Sequence, residues 1–226
     1  MHETLASKLI RFYQALQPPH YLPKGIEILF PQKNKEVMEV VKKFFTKYYY
    51  DNNQRHLLFG INPGRFGGGI TGLNFTAPRQ LKENCGIDHS FGNSSELSAE
   101  FIYEVIERYG GAGKFYSDHF ITAVSPLGFT KDEINMNYYD DKQLQRAVKP
   151  FITENIQKQI ALGFETDHSI CIGGEKNFKF FVRLNEEQGW FKEIIPLPHP
   201  RFIMQYRRRQ KENYVRQYLY ALQLAG

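Results

Sequence analysis

The chain has 226 residues, 42% of them hydrophobic and 23% charged, with a formal net charge of +5. That is enough apolar material for a sizeable core, and one domain over 1–226 is expected rather than two. Cys85 and Cys171 are too few and too far apart for a four-cysteine zinc or iron–sulfur site. No apolar run reaches the roughly 18 residues that span a bilayer, and the first residues lack the basic and apolar regions of a signal peptide. The reading is a protein with reduced thiols, no metal, no cofactor and no membrane partner, inside the cell. Its positive charge suits nucleic acid without requiring it.

Helical spacing of Leu5, Leu9, Ile10, Tyr13 and Leu16 predicts a helix over 3–16, stopped by Gln17-Pro18-Pro19. Val37, Val40, Val41, Phe44 and Phe45 predict a second helix over 34–49. A strand follows at 55–61, then a long polar, glycine-rich loop over 62–93. A helix over 94–108 ends at Gly110-Gly111. A strand at 120–124 closes with Ser125-Pro126-Leu127-Gly128. A long amphipathic helix covers 141–162, and a strand at 168–172 ends at Gly173-Gly174. A helix over 176–185 and a strand over 191–197 lead to Pro198-His199-Pro200, and the last helix covers 205–224.

Strands alternating with helices predict an α/β fold: a three-layer α/β/α sandwich on a central, mainly parallel four-stranded sheet. The four strands then end at Asn62, Ser125, Gly173 and His199 along one edge, where open α/β sheets bind ligands.

The stretch Leu57 to Gly69 carries the strongest signal. Leu57 to Ile61 is apolar enough for a strand covered on both faces. Asn62-Pro63-Gly64 is turn chemistry, and Gly67-Gly68-Gly69 leaves backbone bare for the close approach of a flat ligand. Asn62 therefore points into a pocket at the strand end.

Gly60-Ile61-Asn62-Pro63-Gly64-Arg65-Phe66-Gly67, continuing to Thr71-Gly72-Leu73-Asn74-Phe75, resembles the first motif of the uracil-DNA glycosylase superfamily. The likeness is strongest to its single-strand-selective monofunctional branch. Phe120 to Phe129 resembles that branch's middle strand, and His199-Pro200 resembles its second catalytic motif. The resemblance implies that Asn62 positions an attacking water and that His199 donates to the base carbonyl as charge builds there. It implies that Phe75 stacks on an extruded base, while Ile61, Gly64 and Gly68 line its pocket. The segment after His199 would fill the vacated stack, with Phe202, Ile203, Met204 and Tyr206 as the candidate wedge residues. Arg201 and the basic run of Arg207, Arg208, Arg209 and Lys211 lie just after His199, where they could hold phosphates.

Two positions depart from the family pattern. Ala123 stands where the family carries an asparagine that reads the Watson–Crick edge of uracil. Arg201-Phe202 follows His199-Pro200 where the family continues Ser-Pro. These departures imply a shifted or broader base preference and a differently shaped wedge. The expected function is a monofunctional DNA glycosylase of base excision repair, acting as a monomer in a bacterial cytoplasm near the nucleoid. The alternatives are an inactive nucleic-acid binder of the same fold and a hydrolase of free nucleosides.

Overall fold

The structure is a computed structural model that describes residues 3–225. Its first helix, α1 (Leu5–Ala15), is capped by Thr4, whose side chain accepts from the Ser7 N–H. After strand β1 (Ile26–Leu29), Asn34 caps α2 (Lys35–Tyr48) by accepting from two first-turn N–H groups. Strand β2 (His56–Gly60) leads into the glycine loop, which holds two short helices, α3 (Gly68–Thr71) and α4 (Pro78–Glu83). Helix α5 (Leu97–Tyr109) ends at Gly110, and α6 (Gly111–Asp118) runs straight into β3 (His119–Ala123). A hairpin of β4 (Gly128–Lys131) and β5 (Ile134–Met136) precedes α7 (Lys142–Ile160), which Asp141 caps. The order closes with β6 (His168–Ile172), α8 (Glu175–Gln188), β7 (Glu193–Leu197), α9 (Pro200–Tyr206) and α10 (Lys211–Ala225).

The central sheet has the order β3–β2–β6–β7, and every pairing in it is parallel. This is the expected four-stranded sheet, with helices on both faces. On one face Phe59 packs on Phe181 of α8, ring centroids 4.7 Å apart, and the Thr122 hydroxyl donates to Gln159 of α7. On the other, His119 packs on Tyr109 of α5 and Phe115 of α6, each 5.2 Å away.

Three further strands depart from the expected four. β1, β4 and β5 form a small antiparallel sheet in the order β1–β4–β5. They have four, four and three residues, too few to show a period. The β4–β5 turn places Asp132 at φ 49° and Glu133 at φ 60°, a left-handed pair of the type that Asn-Gly favours. The helix expected over 205–224 is instead α9 and α10, separated by a 3₁₀ turn at Arg208–Gln210.

One buried cation organises the entry to β2. The Arg55 side chain is fully buried and pairs both guanidinium ends with Asp51 at 2.7 and 2.9 Å. It also donates to the carbonyls of Tyr116, Asn53 and Tyr48. Its charge is thus spread over five acceptors and stacked 5.0 Å over the Tyr49 ring.

Candidate active site

Parallel strands deliver their carboxyl ends to one edge, and there β2 and β7 release Asn62 and His199. Both side chains line one cavity of about 400 Å³, together with Phe75. Asn62 is clamped at both ends of its amide. Its Nδ2 donates to Met136 O at 3.1 Å and to Pro63 O at 3.3 Å, and its Oδ1 accepts from the Tyr138 N–H at 3.1 Å. The amide oxygen keeps a second lone pair for a water. The last residue of β5 and the segment just after it thus supply the backbone that orients Asn62.

His199 is the N-cap of α9, and its Nδ1 accepts from the Arg201 N–H at 3.1 Å. A nitrogen that accepts carries no proton, so the neutral ring presents Nε2–H. Burial, helped by the Arg201 charge, lowers the ring's pKa to about 4. Protonating it at pH 7 would cost about 4 kcal/mol. The side chain is therefore a neutral donor of fixed tautomer.

Phe75 holds φ at 53°, uncommon for a residue with a side chain, and its ring lies 5.8 Å from that of His199. The ring rests on the backbone at the end of β2: a Cβ on Gly60 would stand 2.9 Å from Phe75 Cε2. Gly60 is the residue that permits this approach.

Ile61, Gly64 and Gly68 also line the cavity. Ala123 does not: it is 1% exposed, paired in register with Gly60 inside the sheet. The end of β3 turns away into the Ser125–Gly128 bend, where the Ser125 hydroxyl donates to Leu127 O.

The residues after His199 divide sharply. Arg201, Phe202 and Tyr206 reach the cavity, and Phe202 and Tyr206 sit one helical turn apart with rings 5.9 Å from each other. Arg207 lies over the Phe202 ring at 5.4 Å. Ile203 is instead fully buried beneath α9. Arg207, Arg208 and Arg209 are exposed, whereas Lys211 is held by Glu104 at 2.6 Å.

Sequence reasoning missed Asn137 and Tyr139, from the segment after β5, and Glu96 and Ser98, from the start of α5. Burial raises the pKa of the Glu96 carboxyl, with Arg201 pulling it down. The Glu96 carboxyl fills the space that a Cβ on Gly67 would occupy, so the first motif's glycine accommodates a residue from another element.

The fold and this edge define an α/β protein with a cleft at the carboxyl ends of a parallel sheet, and comparison with known proteins gives the class a name. Residues 47–223 match the Uracil DNA glycosylase superfamily, and the chain belongs to that superfamily. The crystal structure of wild-type Pedobacter heparinus SMUG2 superposes with a TM-score of 0.95 at 44% sequence identity, covering 99% of this chain and 98% of that one. A comparison with curated proteins finds no match. No helix among the described residues is long and apolar enough to cross a membrane.

Proposed function

We propose that this superfamily member is a single-domain, monomeric DNA glycosylase that hydrolyses the N-glycosidic bond of uracil or a related damaged base. The observation that carries the reading is the meeting of Asn62, Phe75 and His199, remote in sequence, around one cavity of about 400 Å³, with room for a nucleobase and part of its sugar. Bond cleavage leaves a cationic sugar and an anionic base. His199 offers Nε2–H where the base oxygen gains charge, a preorganised donor worth about 3–4 kcal/mol. Asn62 cannot take a proton, because an amide does not titrate, so its role is to orient the water that attacks the sugar.

The base must first leave the stack, which costs a few kcal/mol. Stacking on Phe75 returns about 1–3 kcal/mol of this. Phe202 and Tyr206, exposed at 41% and 63% on one face of α9, are the rings available to fill the gap. Arg201, Arg207, Arg208 and Arg209 carry the charge for flanking phosphates.

The test is pure protein on single- and double-stranded oligonucleotides that contain uracil, hydroxymethyluracil, xanthine or hypoxanthine, with abasic sites cleaved by alkali. Strand cleavage at the modified base is expected. No product from any of the four at large enzyme excess would end the proposal.

A further inference from the structure

The resemblance to the uracil-DNA glycosylase pattern implies a base-reading asparagine at the position of Ala123. In this chain that position, Ala123, is buried in the sheet and contributes nothing to the cavity. An unread polar edge would be left without partners in a half-closed pocket, at about 1–3 kcal/mol for each unsatisfied group. Some other element must meet it.

The start of α5 has the required groups. Helix α5 is 13 residues long, and no side chain caps its first turn. Its leading N–H groups therefore have no partner within the helix. Ser98 is only 5% exposed, lines the cavity, and its hydroxyl makes no hydrogen bond among the described residues. Glu96, two residues earlier, lines the same cavity, and its carboxyl likewise makes no hydrogen bond or ion pair among the described residues. The Arg201 charge offsets part of the cost of burying this carboxyl, and its acceptor oxygens remain open to a donor from a ligand. A strong acceptor beside unused donors is the complement of an imide edge, in which an N–H adjoins a carbonyl.

We infer that Glu96 and Ser98 are specificity-determining residues that read the N–H and the adjoining carbonyl of the extruded base. The assignment rests on the glycosylase reading above. Glu96 accepts the imide N–H, the N3–H of uracil or the N1–H of hypoxanthine. Cytosine carries a lone pair at N3, so two acceptors would face each other and the base is refused. A negative group near the departing anion does nothing to speed its release. Glu96 therefore supplies selection, and rate remains with Asn62 and His199.

The experiment compares single-turnover excision of uracil with that of N3-methyluracil, which lacks the N–H, in single-stranded oligonucleotides. Wild type, Glu96→Gln, Glu96→Ala and Ser98→Ala are used, with circular dichroism and melting temperature as checks on folding. The wild type is expected to prefer uracil at least a hundredfold. Glu96→Ala is expected to reduce that preference tenfold or more; Glu96→Gln, whose amide oxygen still accepts but without the charge, and Ser98→Ala are each expected to reduce it several-fold. Variants that keep the wild-type ratio, or slow both substrates by one common factor, would overturn this inference and leave the glycosylase reading intact. A wild type inactive on all four bases named above would instead overturn the glycosylase reading, and this inference with it. If Glu96→Ala unfolds, the near-isosteric Glu96→Gln and Ser98→Ala decide the matter.

Discussion

Replacing His199 with alanine removes a neutral imidazole N–H donor from the cavity. The Nε2–H it presents is set by the Arg201 N–H on Nδ1 and by a ring pKa of about 4. Loss of a donor aimed at a developing oxyanion is expected to cost about 3 kcal/mol in the transition state. The single-turnover rate on a uracil oligonucleotide should fall by roughly 10²-fold. The same pKa makes a second, independent statement. A histidine whose folded pKa is depressed stabilises the fold fully above about pH 6.5, the unfolded value. That contribution, about 3 kcal/mol, drains away as pH falls from 6.5 towards 4, because the unfolded chain takes up the proton first. Between pH 7 and 9 the ring is neutral throughout, so His199 contributes no slope to the wild-type rate. The assay is gel-resolved strand cleavage after alkali, with enzyme in excess, alongside urea melts at pH 7 and pH 5. A wild-type rate that drops tenfold per pH unit above pH 6.5 would mean an imidazolium acts, and would refute the reasoning. So would an alanine variant within threefold of wild type.

Asn62→Ala is expected to lose at least tenfold in rate and about 2 kcal/mol in chemical denaturation, since its amide bonds both Met136 O and the Tyr138 N–H. Arg55→Ala should destabilise by about 3–5 kcal/mol in the same measurement, leaving Asp51 and three carbonyls without their partner; a loss under 1 kcal/mol would contradict it. Glu133→Gly, at φ 60°, should raise stability by about 1 kcal/mol, read as a higher melting temperature. Phe202→Ala and Tyr206→Ala should weaken binding to a single-stranded oligonucleotide several-fold in fluorescence anisotropy. Lys211→Ala, whose ammonium already pairs with Glu104, should leave binding unchanged within twofold.

What the sequence disclosed and what it hid have physical reasons. β2, β3, β6 and β7 are apolar runs that end in Gly, Pro or Asn, and parallel strands covered on both faces leave that signature. Their shared direction brought Asn62 and His199 to one cleft. The hairpin of β4 and β5 left no signature, because Gly128-Phe129-Thr130-Lys131 and Ile134-Asn135-Met136 are shorter than one readable period. Its partners for Asn62 are backbone atoms, which no residue type announces. Arg207 to Lys211 looked like one basic run, yet a 3₁₀ turn splits it and Glu104 holds its last member. Ala123 lies in the segment that resembles the family's middle strand, but its buried place inside the sheet shows only in three dimensions. Glu96 falls at the start of the helix expected over 94–108, where a carboxylate is ordinary first-turn chemistry. What singles it out is proximity to Gly67, a contact between distant segments.

The double grip on Asn62 ties two sheets together through one amide group. Whatever loosens the hairpin also frees the side chain that would aim the nucleophile, so breathing of that wall and readiness for chemistry are one event. Laboratory selection for a roomier cleft through this hairpin would accordingly tend to yield proteins that admit bulkier lesions and excise each of them more slowly.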